Sequence, residues 1–250
     1  MPEFNGESKA LVPSRSSAHD LGLLDNPIWN ALTTVHSALA LKDGQARRYP
    51  AEIGPLSGLA QQGAEAYESL RALTGTGPGG FSAQFLVDPP VERAGWSLIR
   101  AGLMTQMIWS GDAVPAIVPP AIPVVMRCLT LIDVPAMVEL AELTEPGPFR
   151  ARTFELGEFF GLFEAGRLVS MAGQRLRLPG LIEVSAVCTH PDARGRGYAR
   201  AVMSQVMADI LSRGATPFLH AFADNPAVRV YEALGFTHRR HLHLAVLQPE

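Results

Sequence analysis

The segment Val184-Ser-Ala-Val-Cys-Thr-His-Pro-Asp-Ala-Arg-Gly-Arg-Gly-Tyr-Ala-Arg200 limits what this chain can fold into more than any other. An apolar, β-branched run leads into a turn rich in Gly and Arg. That turn opens directly into a helical pattern whose core stripe is Val202, Met203, Val206, Ile210 and Leu211. A buried strand, a glycine turn and a helix in that order belong to α/β architectures, whose ligands bind at the carboxyl ends of strands. Successive backbone N–H groups at a helix N-terminus, with arginines alongside, cradle a pyrophosphate. A nucleotide-type cosubstrate carrying a diphosphate is therefore the first expectation.

The chain has 250 residues, enough for one large domain or two small ones, and 47% hydrophobic against 18% charged residues predict an ordered core. A formal net charge of −3 gives no electrostatic case for nucleic acid. Cys128 and Cys188 lie too far apart in sequence to suggest a local staple, so reduced thiols in a cytoplasmic protein are expected. The polar N-terminus carries no apolar signal-peptide core, and no run approaches the roughly 18 apolar residues of a membrane span.

Val114-Pro-Ala-Ile-Val-Pro-Pro-Ala-Ile-Pro123 is the clearest break, because a run so dense in proline can be neither helix nor central strand. It is expected to connect two halves: a flexible tail (1–20) with an N-terminal αβ domain (21–113), and a C-terminal domain (124–248). In the first half, the spacing predicts helices over 27–41, with Asn26 as cap, and over 59–73. Strands are expected over 81–87 and 96–109, the latter as one bent strand or two. In the second half the expected order is a strand (124–129) and a helix capped by Asp133 and running through Leu143. A hairpin follows around Glu164-Ala-Gly-Arg167, then the strand 182–189, a helix over 197–213 and a strand (217–222). A helix capped by Asn225 or Asp224 and one or two closing strands complete the order.

That order and these residues resemble the GNAT superfamily of acyl-CoA-dependent N-acyltransferases over about 124–247. Arg194-Gly-Arg-Gly197-Tyr-Ala199 matches the family's Q/R-x-x-G-x-G/A signature, and Tyr231-Glu-Ala-Leu-Gly235-Phe236 matches its Y-x-x-x-G-F block. The resemblance implies a mixed, mostly antiparallel twisted sheet flanked by helices. It also implies an N-acetyltransferase that moves the acetyl group of acetyl-CoA directly to an amine in a ternary complex. By the same resemblance Arg194, Gly195, Arg196, Gly197, Tyr198, Ala199 and Arg200 hold the pyrophosphate, while Val187, Cys188 and Thr189 hold the pantetheine arm. Tyr231 is the general acid toward the leaving thiolate. Asn225 takes a cofactor-side position, although it stands six residues before Tyr231 where the family has seven, a spacing that Asp224 satisfies. Glu183, eleven residues before Arg194, has the spacing of a glutamate general base. The N-terminal half is expected to be a degenerate GNAT-like half.

A thiol in an apolar strand such as Cys188 is expected to be inert packing. His238, His241 and His243 are expected as edge-strand histidines rather than metal ligands, because no further ligand completes a site. The partners implied are acetyl-CoA and an unidentified amine, with no metal, nucleic acid or membrane, on a monomer or homodimer. Two alternatives stand beside this: a coenzyme A-binding module without turnover, and an N-acyltransferase of longer acyl chains, related to the glycine N-acyltransferase-like group.

Overall fold

The structure, a computed structural model, describes residues 19–77, 80–113 and 124–250. The expected connector at 114–123 and all but the end of the expected tail lie outside them. The elements in chain order are α1 (Pro27–Thr33), β1 (Leu41–Asp43), β2 (Ala46–Arg48), β3 (Ser57–Leu59), α2 (Ala64–Thr74), β4 (Ser82–Leu86) and β5 (Trp96–Trp109). Then come β6 (Val125–Cys128), α3 (Val134–Thr144), β7 (Phe159–Glu164), β8 (Arg167–Leu178), β9 (Leu181–Thr189), α4 (Tyr198–Ser212), β10 (Thr216–Phe222), α5 (Val228–Ala233) and β11 (Phe236–Pro249).

Eight strands form one mixed sheet in the order β4-β11-β5-β10-β9-β8-β7-β6, and β1–β3 form a small second sheet. Every neighbouring pair in the large sheet is antiparallel except β9 and β10. The sheet is thus the mixed, mostly antiparallel one that was expected. Its strands do not divide between the halves of the sequence: β5, from before the proline run, lies between β10 and β11, from after it.

Helix α4 covers one face. Its Val202, Val206 and Ile210 pack with Ile182 and Val184 of β9 and Leu219 of β10. On the opposite face Leu181 and Phe218 pack against Ile28, Leu32 and Tyr49 of the N-terminal half. Helix α3 seals a third cluster with Phe159, Met171 and Cys188.

Several local expectations shift. Helix α1 stops at Thr33 rather than near Leu41, and the hydroxyls of Thr33 and Thr34 bond back to the carbonyls of Trp29 and Asn30. Such back-bonding competes with continuation of a helix. Asn26 does not cap α1 through its side chain; its amide instead donates to the Leu59 carbonyl. Helix α2 begins at Ala64, since Ser57–Leu59 is a strand. Asp133 bonds back to the Thr130 amide and Arg127, closing a single 3-10 turn ahead of α3. The hairpin at Glu164–Arg167 turns through left-handed Ala165 and Gly166. The closing strand β11 is continuous; β4 covers its outer side over His243–Leu247, so His243 is interior, whereas among the described residues His238 and His241 are paired only with β5 and lie on an edge stretch as expected.

Because β4 and β5 flank β11 and β5 flanks β10, removing the N-terminal half would leave β11 without a strand partner and β10 held only by its short pairing with β9. A fragment spanning 124–250 is expected to lack a cooperative thermal transition by circular dichroism, whereas the full chain melts cooperatively. A sharp melt for the fragment would contradict the shared sheet.

Candidate functional site

Parallel pairing between β9 and β10 runs from Leu181↔Thr216 to Glu183↔Phe218 and then ends. Strand β10 stays paired with β5 as far as Phe222, while β9 stays paired with β8 as far as Thr189. The two strands therefore part after Glu183, and the edge of β9 that faced β10 is left without a strand partner over Val184–Thr189.

Within this stretch β9 carries a bulge. Ser185 pairs with Gly173 and Cys188 with Met171, so Ala186 and Val187 together oppose Ala172. Ala186 takes up the extra residue in a left-handed conformation, at φ 51°. The bulge breaks the in–out alternation, so consecutive residues Ser185 and Ala186 line the same cavity. Ser170 ties off the strand below: its hydroxyl donates to the Cys188 carbonyl at 2.9 Å and meets the Thr189 hydroxyl at 2.8 Å. Cys188 itself is buried, and burial pushes its thiol up to about 11, so it carries no thiolate at neutral pH.

The glycine turn follows. Gly195 and Gly197 are left-handed, at φ 77° and 78°, and no atom lies within 4 Å of where a side chain would begin on either. Gly197 is the N-cap of α4, so the amides of Tyr198, Ala199 and Arg200 open the helix with no intrahelical partner. Among the described residues the amides of Gly195, Arg196 and Gly197 also have no hydrogen-bond partner. This is an open, exposed cradle of donors at the positive end of a helix, and a diphosphate fits it.

Its arginines are not equivalent. Arg196 is held by Glu164 at 2.9 Å and by the Asp192 carbonyl at 3.0 Å. Arg194 makes one long contact, 3.4 Å to the Thr189 carbonyl, and Arg200 is exposed without a partner among the described residues. Arg194 and Arg200 are thus the cations free to meet a ligand.

Tyr231 stands on α5, buried in the α4-side cluster, and burial raises its phenol pKa. The Asn225 side chain accepts from the Ala227 amide at 2.9 Å and shapes the turn into α5. At the other end of α5 the indole of Trp109 on β5 donates to the Leu234 carbonyl at 3.0 Å. The Ser110 amide, just beyond β5, donates to the carbonyl of left-handed Gly235 at 3.0 Å.

Glu183 is placed otherwise than a general base requires. Its side chain is 0% exposed and is clamped by Arg175, whose Nε donates at 2.8 Å and whose Nη2 donates at 2.5 Å. His220 Nδ1 lies 2.7 Å away, and the Leu176 amide adds a donor at 3.3 Å. Burial raises the carboxyl pKa, but the Arg175 charge and hydrogen bonds, with those of His220, outweigh it and hold the group at about 2. A carboxylate so stabilised is a weak proton acceptor. The composition did not single out His220 or Arg175. The available signal was a lone histidine inside the apolar run Pro217-Phe-Leu-His-Ala-Phe222, which a buried strand tolerates only with a polar partner.

Comparison with known proteins follows the same lines. The FR47-like protein family model matches residues 159–244, which span β7 through most of β11. A solved structure from Novosphingobium aromaticivorans DSM 12444, assigned to the GNAT family of acetyltransferases, is 37% identical. It superposes with a TM-score of 0.82, covering 91% of this chain and 98% of that one. The chain belongs to the GNAT family. GCN5-related N-acetyltransferases from Kribbella flavida and Sphaerobacter thermophilus share the fold at 16% identity each, with TM-scores of 0.59 and 0.55. The first match covers 90% of this chain and 96% of that one, the second 86% and 84%. No curated protein matches the chain. Among the described residues no group of three or more His, Cys, Asp or Glu is placed to hold a metal, and no helix is long and apolar enough to cross a membrane.

In this GNAT chain the Glu183 cluster ties stability to pH. The folded carboxyl pKa lies below its unfolded value of about 4.3, so its stabilisation is present above that pH and is lost as pH falls toward 2. His36, buried and bonded to the Tyr49 hydroxyl, titrates at about 4 because burial opposes its charged form. Its contribution is therefore lost between about pH 6.5 and 4. Denaturant melts across pH are expected to show two separable declines. Glu183→Gln should lower stability by about 3–5 kcal/mol at pH 7, by leaving the Arg175 charge uncompensated, and should flatten only the lower decline.

Proposed function

We propose that the chain is an acetyl-CoA-dependent N-acetyltransferase that passes the acetyl group directly to an amine in a ternary complex. The observation carrying this reading is the parting of β9 and β10 beside an open cradle of amides. One ligand with a diphosphate at one end and an amide-bearing arm at the other suits both features. The ligand supplies an acyl group activated as a thioester.

The chain's own residues then divide the work. Amides from Gly195 to Arg200, with Arg194 and Arg200, hold the diphosphate, and Tyr198 anchors the turn through its 3.3 Å bond to Glu164. The free edge of Val187, Cys188 and Thr189 pairs with the arm as a missing strand would. Backbone N–H groups freed from the ladder at Ala186 and Val187 polarise the thioester carbonyl.

The amine must arrive neutral to attack, and its proton passes to water in the cleft, since Glu183 is sealed and weakly basic. Nitrogen bonds to the carbonyl carbon, the C–S bond breaks, and Tyr231 gives its phenolic proton to the departing sulfur. Its raised pKa keeps that proton in place until then. Asn225 and Trp109 fix both ends of the short helix that carries Tyr231, and so act as positioning residues.

Tyr231→Phe is expected to lower kcat about 10²–10⁴-fold with KM for acetyl-CoA within twofold, measured by thiol release. Arg194→Ala is expected to weaken acetyl-CoA binding about tenfold or more by calorimetry, with a smaller effect on kcat. Undiminished turnover in the Tyr231 variant would remove it from the mechanism.

A further inference from the structure

Two adjoining cavities meet at Arg175, and the first reaches the bulge on β9. They share Pro148, Thr153 and Arg175 as wall residues. The first reaches Ser185 and Ala186, beside the proposed acyl position, and the second reaches Tyr49 and the 53–56 segment of the N-terminal half.

Arg175 is the one charged residue on either wall; the rest is mainly Pro, Phe, Leu and Ile. Its partner Glu183 lies behind it, fully buried, and occupies Nε and one hydrogen of Nη2. Among the described residues Nη1 has no partner, and a guanidinium has no acceptor to offer. The edge it leaves open can therefore be satisfied only by an acceptor, and best by an anion that reads two parallel N–H groups. No Asp or Glu lines either cavity, so nothing there would stabilise a polycationic amine.

We infer that the acceptor is a compact amine that also carries a carboxylate, with Arg175 binding the carboxylate and the apolar walls taking a hydrophobic side chain. This rests on the acyl transfer proposed above. Arg175 shares its wall with Ser185 and Ala186, beside the proposed acyl position, so a molecule whose amine and carboxylate lie a few bonds apart would reach from one to the other. A free apolar amino acid has that chemistry.

The full chain should be assayed for thiol release from acetyl-CoA with leucine, phenylalanine, their amides, their decarboxylated amines and spermidine, alongside calorimetry of acetyl-CoA alone. Transfer to an amino acid at a kcat/KM at least tenfold above its amide and its decarboxylated amine is expected. Arg175→Lys should raise KM for the amino acid tenfold or more, leave KM for acetyl-CoA within twofold and melt as a folded protein. Equal use of the amides, or preferred use of spermidine, would overturn the inference while leaving acetyl transfer intact. Absence of acetyl-CoA binding would instead overturn the transferase reading. In that case calorimetric titration of leucine against leucinamide, on wild type and Arg175→Lys, decides the carboxylate site: no binding of leucine, or equal binding of leucinamide, overturns it. Should Arg175→Lys fail to fold, the acid-versus-amide comparison on wild type still decides.

Discussion

Everything at the site depends on β9 and β10 coming apart after three paired residues. Adjacent strands ordinarily keep pairing, because a buried edge with unmet N–H and C=O groups costs free energy. Two constraints oppose that here. Strand β10 is committed on its other side to β5, through Phe222↔Met104, and β9 is committed to β8 through Ser170↔Thr189. At the branch point sits the Glu183 carboxylate, in contact with Arg175 of β8 and His220 of β10. It joins three strands at the level where the opening begins. Buried charge is tolerable there only because every acceptor direction is met, and that same satisfaction sets the geometry of the fork.

The N-terminal half is consequently part of the site, although its sequence holds no chemical motif. Strand β5 keeps β10 away from β9, and its last residue, Trp109, bonds the end of the helix carrying Tyr231. The cluster at the fork continues through it as well. His220 Nε2 meets Gln106 of β5 at 2.9 Å, Gln106 accepts from Arg239 of β11 at 2.7 Å, and Arg239 pairs with Asp25 at 2.8 Å. A line of polar groups thus runs from the cavity wall to the surface beneath α1. Loosening the N-terminal half would disturb the branch point itself, and not only a neighbouring wall.

What the sequence made legible was local. The Gly195–Gly197 turn, the Glu164–Arg167 hairpin and the strand–helix alternation of the second half are written in contiguous residues, and the structure has them in that order. Long-range relations were not readable. That 96–109 forms a strand follows from its apolar, β-branched composition, but its place between β10 and β11 depends on partners more than a hundred residues away. The surroundings of the β11 histidines are long-range in the same way, since β4, from the N-terminal side, covers His243 but stops short of His238 and His241. Glu183 shows the limit most sharply. Its spacing from Arg194 is a matter of chain position, whereas its chemistry is set by Arg175 and His220, neither of which that spacing involves.

A carboxylate at that position has two incompatible uses. Left with one hydrogen bond in a cleft, it would titrate near or above its ordinary value and could take a proton from an amine. Paired with a guanidinium and an imidazole and sealed from water, it is held at about 2 and takes none. The structure adopts the second arrangement, and its consequence reaches the substrate. With the carboxylate spent on Arg175, the cavity wall presents only the outer, cationic edge of that pair. Proton removal is left to solvent, and the acceptor must bring its own negative charge to be held. The residue that would have served as base in one arrangement thus becomes, in the other, the reason for selecting an anionic acceptor.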